Sequence, residues 1–304
     1  MNDGIVTDLA ELIAYQRYAP DVRYRPPAFA AHSGPHGSKW RGRGMDFTEA
    51  RHYQAGDDIR HMEWRVTART GRPHVKIYQE ERERPLVLFV DFNPSMYFGT
   101  RVAFKSVIAA RLAAILAWTA AKQGDRVGGF LLSTRGHEIR MPQASTAGVL
   151  PLLSGLSQHT QQTLASLPAA KPTYFSDALT ALQRLIKPGS LVVLISDFYG
   201  LHENCSAQLT HLSRYHDVLA YHVCDPIECA PPKPGRYALS DGVKDFLLDT
   251  SIDKVRFHYQ FQCEERLRTI QESLARKSIQ YSQVLPSTNL ALKVQQTLVR
   301  RSRG

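Results

Sequence analysis

The sequence predicts an α/β fold of the doubly wound type, with a mainly parallel sheet and a β-rich extension before it. Two runs, LVLFVD at residues 86–91 and SLVVLISD at residues 190–197, are continuous apolar stretches that end in an aspartate. Strands that are buried on both faces of a parallel sheet have this pattern. A helical pattern with apolar residues three and four positions apart lies between them at residues 101–123. Strands that alternate with helices favour a parallel sheet covered by helices on both faces.

The other predicted elements continue this alternation. Gly124 and Asp125 end the first long helix, and Pro188 and Gly189 close a later one. Two short apolar runs on either side of a Ser-Asp-Gly sequence predict a hairpin. The predicted strands are residues 86–91, 126–133, 190–197, 217–223 and 279–282, with the hairpin at 237–239 and 246–248. The predicted helices are residues 101–123, 146–157, 176–186, 203–215 and 252–277, with a last one from residue 287.

The segment before residue 86 differs in character and sets the domain division. Residues 74–78 alternate polar and apolar side chains, as a half-exposed strand does, and Gly, Pro and Asp interrupt the rest. We therefore expect an N-terminal helix and linker at residues 1–36, a β-rich extension at 37–85 and the α/β domain at 86–304.

Composition and charge limit the classes of function. The 304 residues are 43% hydrophobic and include 38 Lys and Arg against 28 Asp and Glu, a net charge of +10. This surplus suits a nucleic acid, a membrane surface or an acidic protein partner. Residues 39–84, however, hold eleven basic and eight acidic side chains, so this segment is close to charge balance. Neither a span of ~20 apolar residues nor a secretory leader is visible, and we expect a cytoplasmic protein.

Oxygen-bearing side chains follow both buried strands. The first strand continues as DFNPS, which places Asp91, Asn93 and Ser95 at alternate positions of one turn. Ser176 begins a helix and Asp197 ends the second strand. In an open parallel sheet, ligands bind outside the carboxyl ends of the strands, and oxygens that converge on one point suit Mg²⁺. An alternative interpretation is that these residues only form turns and cap helices.

This arrangement resembles the metal-ion-dependent adhesion site of the von Willebrand factor A fold, over residues 86 to about 300. That site has Asp-x-Ser-x-Ser on its first loop, a Thr on a second loop and an Asp on a third. Asp91, Ser95 and Asp197 match it, whereas Asn93 replaces the middle Ser and Ser176 replaces the Thr. The resemblance implies a Mg²⁺ site that captures an acidic side chain of a partner, which is recognition and not turnover.

The segment from residue 37 to residue 91 closely resembles a bacterial family known as domain of unknown function 58. Its motifs are RGRG at residues 41–44, the Tyr-x-x-Gly-Asp-Asp-x-Arg run at 53–60, and the Ala-Arg and Glu-Glu-Arg sequences that follow. Glu63 stands where the family has Asp. We expect most motif residues to form a charge-paired scaffold in which an Asp caps a short helix, the carboxylates pair with nearby arginines and the tryptophan packs the extension against the sheet. The motif residues that we single out are Arg41, Arg43, Gly56, Asp57, Asp58, Arg60, Trp64 and Arg69.

The family resemblance implies an interaction protein with no enzymatic activity of its own. Its members are linked with MoxR-type AAA+ ATPases and are suspected of chaperone-like assembly or maturation of client proteins. One alternative is a nucleic-acid-binding protein that uses the basic segment at residues 41–43 and the tail Arg300, Arg301 and Arg303. We expect the protein partner rather than nucleic acid. A Mg²⁺-dependent hydrolase is a weaker alternative, because no base or nucleophile lies beside the predicted metal ligands in the sequence.

Overall fold

The computed structural model describes residues 4–22, 45–54, 56–80, 85–162, 174–240 and 245–301. The chain forms two compact units. The larger comprises Met1–Phe29 and Arg84–Gly304, and the smaller is Ala30–Glu83. No helix in the described ranges is long and apolar enough to cross a membrane.

The larger unit is a six-stranded sheet with helices on both faces and a separate hairpin. The strands of the sheet are β3 (Pro85–Phe92), β4 (Arg126–Ser133), β5 (Gly136–Ala144), β6 (Leu191–Ser196), β7 (Asp217–Val223) and β10 (Gln280–Val284), and the hairpin is β8 (Arg236–Ser240) with β9 (Asp245–Asp249). The helices are α1 (Leu9–Ala14), α3 (Lys105–Lys122), α4 (Thr146–Gln162), α5 (Phe175–Leu185), α6 (Ser206–Tyr215), α7 (Pro226–Cys229), α8 (Asp253–Ala275) and α9 (Leu290–Arg301). The smaller unit contains β1 (Met45–His52), α2 (Trp64–Thr70) and β2 (His74–Glu80).

The order of the strands places a switch point between β3 and β6. The sheet runs β10-β7-β6-β3-β4-β5, and every neighbouring pair is parallel except β4 with β5. From β3 the chain continues to β4, which pairs with one edge of β3. It later returns to β6, which pairs with the other edge of β3. The helices that leave β3 and enter β6 therefore lie on opposite faces, and the carboxyl ends of these two strands are where ligands bind in open sheets of this kind. The predicted doubly wound, mainly parallel sheet is confirmed.

Alternate side chains of the central strand fill two separate cores. Leu88, Val90 and Phe92 point into the core beneath α3, α4 and α9. Val87 and Phe89 point into the opposite core, beneath α5, α6 and α8. Helix α3 is buried along most of its length, since its Ala-rich sequence lets it lie close to the sheet. Because most of its surface is buried, α3 is mostly apolar and has no continuous polar stripe.

The antiparallel edge strand β5 is the main element that the sequence did not indicate. It is half-exposed, and its sequence GHEIRMPQA has neither an apolar run nor a strict alternation. The tight turn between β4 and β5 ends at Gly136, the first residue of β5, which has φ 110°, a conformation that glycine tolerates best. The hairpin of β8 and β9 was predicted and is confirmed.

The N-terminal helix α1 packs on the α/β unit. Leu12 is fully buried there, and the Trp118 indole N–H donates to its carbonyl oxygen at 3.2 Å. Arg111 Nε donates to Glu11 Oε1 at 2.7 Å. These contacts explain why an arginine is tolerated within the otherwise apolar α3. The predicted division at residues 36 and 85 stays a prediction.

Candidate functional site

The predicted carboxylates lie at the switch point. Asp91 is the penultimate residue of β3, and Asp197 follows β6 directly. The two strands are hydrogen-bonded neighbours, with Val90 opposite Ile195. Both carboxylates are buried, with exposed fractions of 2% for Asp91 and 1% for Asp197. Two anionic groups are thus placed side by side in a region that water barely reaches.

Neutral donors surround Asp91. The Ser196 hydroxyl donates to its Oδ2 at 2.7 Å, and the Asn93 backbone N–H donates to its Oδ1 at 2.9 Å. Burial, and then the charge of Asp197, raise the pKa of Asp91 to about 7, although these hydrogen bonds act in the opposite direction. Asp91 therefore carries only part of a negative charge at neutral pH.

A strained turn aims the carboxylate of Asp197. Phe198 is buried with φ 53°, an uncommon conformation for a bulky residue. Its N–H donates to the Ser196 hydroxyl at 2.9 Å, and the Tyr199 N–H donates to Asp197 Oδ1 at 3.0 Å. Burial of the Phe198 ring and these two hydrogen bonds hold the turn, so the second carboxylate oxygen, Oδ2, is left to face α3.

That oxygen binds a buried lysine. Lys105 is the first residue of α3 and is 1% exposed. Its Nζ lies 2.8 Å from Asp197 Oδ2 and 2.6 Å from Glu228 Oε1. Burial opposes charge on both partners, but the Lys105 ammonium outweighs it and holds the pKa of Asp197 below its ordinary range. Asp197 and Glu228 likewise raise the pKa of Lys105 against the effect of burial. The pair is therefore ionised.

Glu228 belongs to a capped turn that is tied to the loop after β3. Its Oε2 accepts from the Asp225 N–H at 2.8 Å, and Asp225 Oδ1 accepts from the Ile227 N–H at 3.1 Å, which completes a capping box for α7. Asp225 also accepts from Thr100, from its N–H at 2.9 Å and from its hydroxyl at 2.7 Å. The Lys105 ammonium thus joins the turn after β7 to the end of β6.

The structure brings together four of the five predicted metal ligands. The Asn93 side chain is hydrogen-bonded to Asp91, and the Ser95 side chain is hydrogen-bonded to Asp197. Ser176 is half-buried at the start of α5, and the contact found for its hydroxyl is Asp177 Oδ1, at 3.5 Å. Ser176 is therefore not tied to the other four side chains.

The donor set does not fit a divalent cation in this arrangement. The Lys105 ammonium already occupies Asp197 Oδ2, and both oxygens of Asp91 accept from protein donors. A cation bound to Asp197 would lie against a like charge, which is unfavourable at a buried position. Within the described ranges, no group of three or more His, Cys, Asp and Glu side chains is placed to hold a metal ion. Mg²⁺ binding stays a prediction, and the geometry argues against it.

An exposed aromatic side chain borders this centre. Tyr199 follows the strained turn and is 55% exposed. The Arg266 guanidinium carbon lies 3.4 Å from the centroid of its ring, and Arg266 Nη2 donates to the Asp197 carbonyl oxygen at 3.1 Å. A flat cationic and aromatic surface is therefore fixed beside the buried ion pair.

The described motif residues of the smaller unit form turns and local ion pairs. Gly56 has φ 107°, and Asp57 Oδ1 lies 2.6 Å from Arg51 Nη2, a hydrogen bond that lowers the pKa of Asp57. Asp58 accepts from the Arg60 N–H at 2.9 Å and caps a short 3-10 helix, Ile59–His61, which confirms the expected helix cap. These contacts support the scaffold interpretation for this part of the motif.

One motif expectation differs from the structure. Glu63 caps α2 and pairs with Lys76 Nζ at 3.1 Å, so its partner is a lysine rather than an arginine. The expectation that Trp64 packs the extension against the sheet stays a prediction. Arg41 and Arg43 lie outside the described residues, and so does Arg303 of the tail.

Lys105 and Glu228 were missed by the sequence reasoning, although Lys105 carries a recognisable signal. It is a cation in the first turn of a helix, where the helix dipole disfavours positive charge, and the sequence that follows is almost wholly apolar. A charge in such a position needs a buried carboxylate as a partner. Glu228 carries only the weaker signal of a capping box, an Asp followed three residues later by Glu.

Known proteins share features with this chain. The uncharacterized protein Rv1480 of Mycobacterium tuberculosis is 33% identical over 216 residues, which are 70% of this chain and 65% of the relative. The uncharacterized protein Mb1516 of Mycobacterium bovis matches to the same extent, so the match spans 65% of the length of these curated relatives.

Solved von Willebrand factor A domains are more distant. The SpRpn10 VWA domain is 11% identical with a TM-score of 0.39, and the match covers 71% of this chain and 95% of that domain. A von Willebrand factor type A protein from Catenulispora acidiphila is 10% identical with a TM-score of 0.36, covering 75% of this chain and 43% of that one. Likenesses of this degree carry no argument about function.

The family model described as "Protein of unknown function DUF58" matches residues 49–269. This range begins in β1 and extends into α8, so it includes both carboxylates of the switch point, Lys105 and Glu228. The match covers more than half of the chain, and the chain therefore belongs to the DUF58 family.

Proposed function

We propose that this chain is a non-enzymatic, cytoplasmic protein-interaction module that works with a MoxR-type AAA+ ATPase in the assembly or maturation of client proteins. The observation that carries the proposal is the surface at the carboxyl ends of β3 and β6. There, Tyr199 and Arg266 stack above a charged centre whose own groups are internally paired. The ATPase as partner comes from the family resemblance.

The buried groups support recognition rather than turnover. A general base or a nucleophile must reach the substrate, directly or through one water. Asp91 and Asp197 are almost fully buried, and their oxygens already accept from protein donors. The centre therefore has the properties of a support for the surface above it.

Tyr199 and Arg266 give that surface the composition of a protein interface. Tyrosine and arginine are enriched at the positions that contribute most to protein binding, because they offer large contact areas with few freely rotating bonds. The Arg266 guanidinium is already held by the Asp197 carbonyl oxygen, so less freedom is lost on binding.

Pull-down of the AAA+ ATPase from the same genome tests the proposal. We expect the tagged chain to capture the ATPase, and Tyr199→Ala or Arg266→Ala to weaken binding by about 30-fold, the equivalent of a 2 kcal/mol hot spot. The matched control is a second Arg–Tyr pair, Arg214 with Tyr215, at the end of α6. Tyr215→Ala should leave the affinity unchanged.

Two results would contradict the proposal. Failure to capture the ATPase would remove the proposed partner, and equal losses for Tyr199→Ala and Tyr215→Ala would remove the proposed surface. The nucleic-acid alternative predicts DNA or RNA binding that weakens steeply with salt through counterion release. The hydrolase alternative predicts activity in a phosphatase and nuclease screen that is lost in Asp91→Ala.

A further inference from the structure

The cation at the switch point is part of the polypeptide. Lys105 is buried, and its ammonium bridges Asp197 on the loop after β6 and Glu228 on the turn after β7. The Lys105 side chain comes from α3, the helix that follows β3 in the chain. One ammonium thus joins the start of α3, the loop after β6 and the turn after β7. Without it, the carboxylates of Asp197 and Glu228 would lie close together with no cation between them.

The aromatic rings around Lys105 complete its surroundings. Its Nζ lies 5.8 Å from the centroid of Phe98 and 5.7 Å from that of Tyr199. A cation is attracted by such ring faces, whereas water is kept away by them. An ammonium has three donors, and two of them are used by Asp197 and Glu228.

A metal ion would compete with this ammonium for the same oxygens. Asp197 Oδ2 and Glu228 Oε1 both face Nζ, and Asp197 Oδ1 accepts from the Tyr199 backbone. Coordination of a divalent cation by Asp197 Oδ2 would displace the Lys105 ammonium from that oxygen, because the two cations cannot share it. The positive charge that the two carboxylates need is therefore already supplied.

We propose that the Lys105 ammonium takes the place of a divalent cation at this strand edge, so that the chain keeps its structure at the switch point without metal. Removal of the ammonium leaves Asp197 and Glu228 facing each other with Asp91 and Ser95 nearby. Carboxylate and hydroxyl oxygens of this kind suit Mg²⁺ and Mn²⁺. Lys105→Ala therefore converts the centre into a divalent-cation site.

Manganese titration of the purified full chain tests this inference. Loss of the free Mn²⁺ signal in electron paramagnetic resonance reports binding, and the melting temperature reports its effect on the fold. We expect the wild-type chain to bind no Mn²⁺ at this centre and to melt at the same temperature in Mg²⁺, Mn²⁺ or EDTA. We expect Lys105→Ala to bind one Mn²⁺ and to melt at a higher temperature when it is present.

Controls identify the residues involved. Lys105→Ala with Asp197→Ala should lose the Mn²⁺ response, and Lys187→Ala, which changes an exposed lysine, should behave as the wild type. A wild-type chain that binds Mg²⁺ or Mn²⁺, with loss of binding in Asp91→Ala and Asp197→Ala, would overturn the proposal and restore the predicted metal site. A folded Lys105→Ala that ignores Mn²⁺ would also overturn it.

If Lys105→Ala does not fold, the melting temperature of the wild-type chain tests the proposal by itself. An unchanged melting temperature in EDTA and in Mg²⁺ then supports the proposal, and a metal-dependent shift contradicts it. None of these readouts involves the ATPase. Failure of the proposed partner interaction would therefore leave this inference standing, and the reverse also holds.

Discussion

The ends of β3 and β6 carry the same side chain at nearly the same depth, but the two aspartates have opposite surroundings. Asp91 accepts from a serine hydroxyl and an amide, whereas Asp197 faces an ammonium. Burial raises the pKa of Asp91 to about 7, and Lys105 holds that of Asp197 low. The sequence of the strand end does not decide how its carboxylate behaves. The first residue of α3 decides it.

Removal of the Lys105 ammonium should give the largest loss of stability among the variants that test this comparison. Lys105→Met keeps the volume and flexibility of the side chain but leaves Asp197 and Glu228 without a cation. We expect the free energy of unfolding to fall by about 3–5 kcal/mol, as for other buried pairs that lose one partner. Urea unfolding at pH 7 measures the change. Lys187→Met should alter stability by less than about 0.5 kcal/mol, and a comparable loss there would contradict the prediction.

Neutralising each aspartate compares the two strand ends directly. Asp197→Asn removes a charged partner from Lys105, and we expect a loss of about 2–3 kcal/mol, the upper part of the range for hydrogen bonds to charged groups. Asp91→Asn replaces a partly protonated carboxyl among neutral donors, and we expect a change below about 1 kcal/mol. Unfolding of both variants at pH 7 gives the ranking. Equal losses would mean that the two aspartates share one environment.

Glu228→Gln sharpens the comparison by changing the second partner of the ammonium. A glutamine can still accept from the Asp225 N–H and so retain the cap of α7, while its charge is removed. Because Asp197 still pairs with Lys105, we expect a loss of about 1–2 kcal/mol, less than for Asp197→Asn. A larger loss of stability than for Asp197→Asn would mean that Glu228, and not Asp197, is the main partner of Lys105.

Lowering the pH should reduce the stability of the protein by a smaller amount, through His159 in the neighbouring core. His159 stacks on Phe92, with ring centroids 5.1 Å apart, and burial lowers its pKa although its hydrogen bond to Glu138 acts to raise it. The unfolded chain therefore binds the proton first as the pH falls. The stability linked to His159 is complete above about pH 6.5 and decreases as the pH falls through the lower folded value.

His159→Gln should accordingly flatten the decrease in stability between pH 7 and pH 5. Urea unfolding of the wild type and the variant across this range measures the difference. His211, on α6, is exposed, and His211→Gln is the matched control that should leave the slope unchanged. A steeper slope for His159→Gln would contradict the assignment of a lowered pKa.

The sequence revealed the sheet because strands that are buried on both faces leave an unambiguous pattern. Asp91 and Asp197 could be placed at one edge for the same reason, since a strand that ends in Asp marks its own carboxyl end. The half-exposed strand β5 has no such pattern, and it was missed. Tertiary contact with β4 outweighs its weak local preference.

The pairing within the site could not be read from the sequence, because it joins residues that are far apart in the chain. Lys105 and Asp197 are separated by 92 positions, and Lys105 and Glu228 by 123. The motif around Asp91 is compatible with a metal site, and only the position of α3 shows that an ammonium already faces Asp197.

A double-mutant cycle tests the central claim most directly. The free energies of unfolding of Lys105→Met, Asp197→Asn and the double variant give the coupling between the two side chains. We predict a favourable coupling of about 2–3 kcal/mol for Lys105 with Asp197, and one below about 0.5 kcal/mol for Lys105 with Asp91. Equal coupling to both aspartates, or none to Asp197, would contradict the account of Lys105 as the cation of this strand edge.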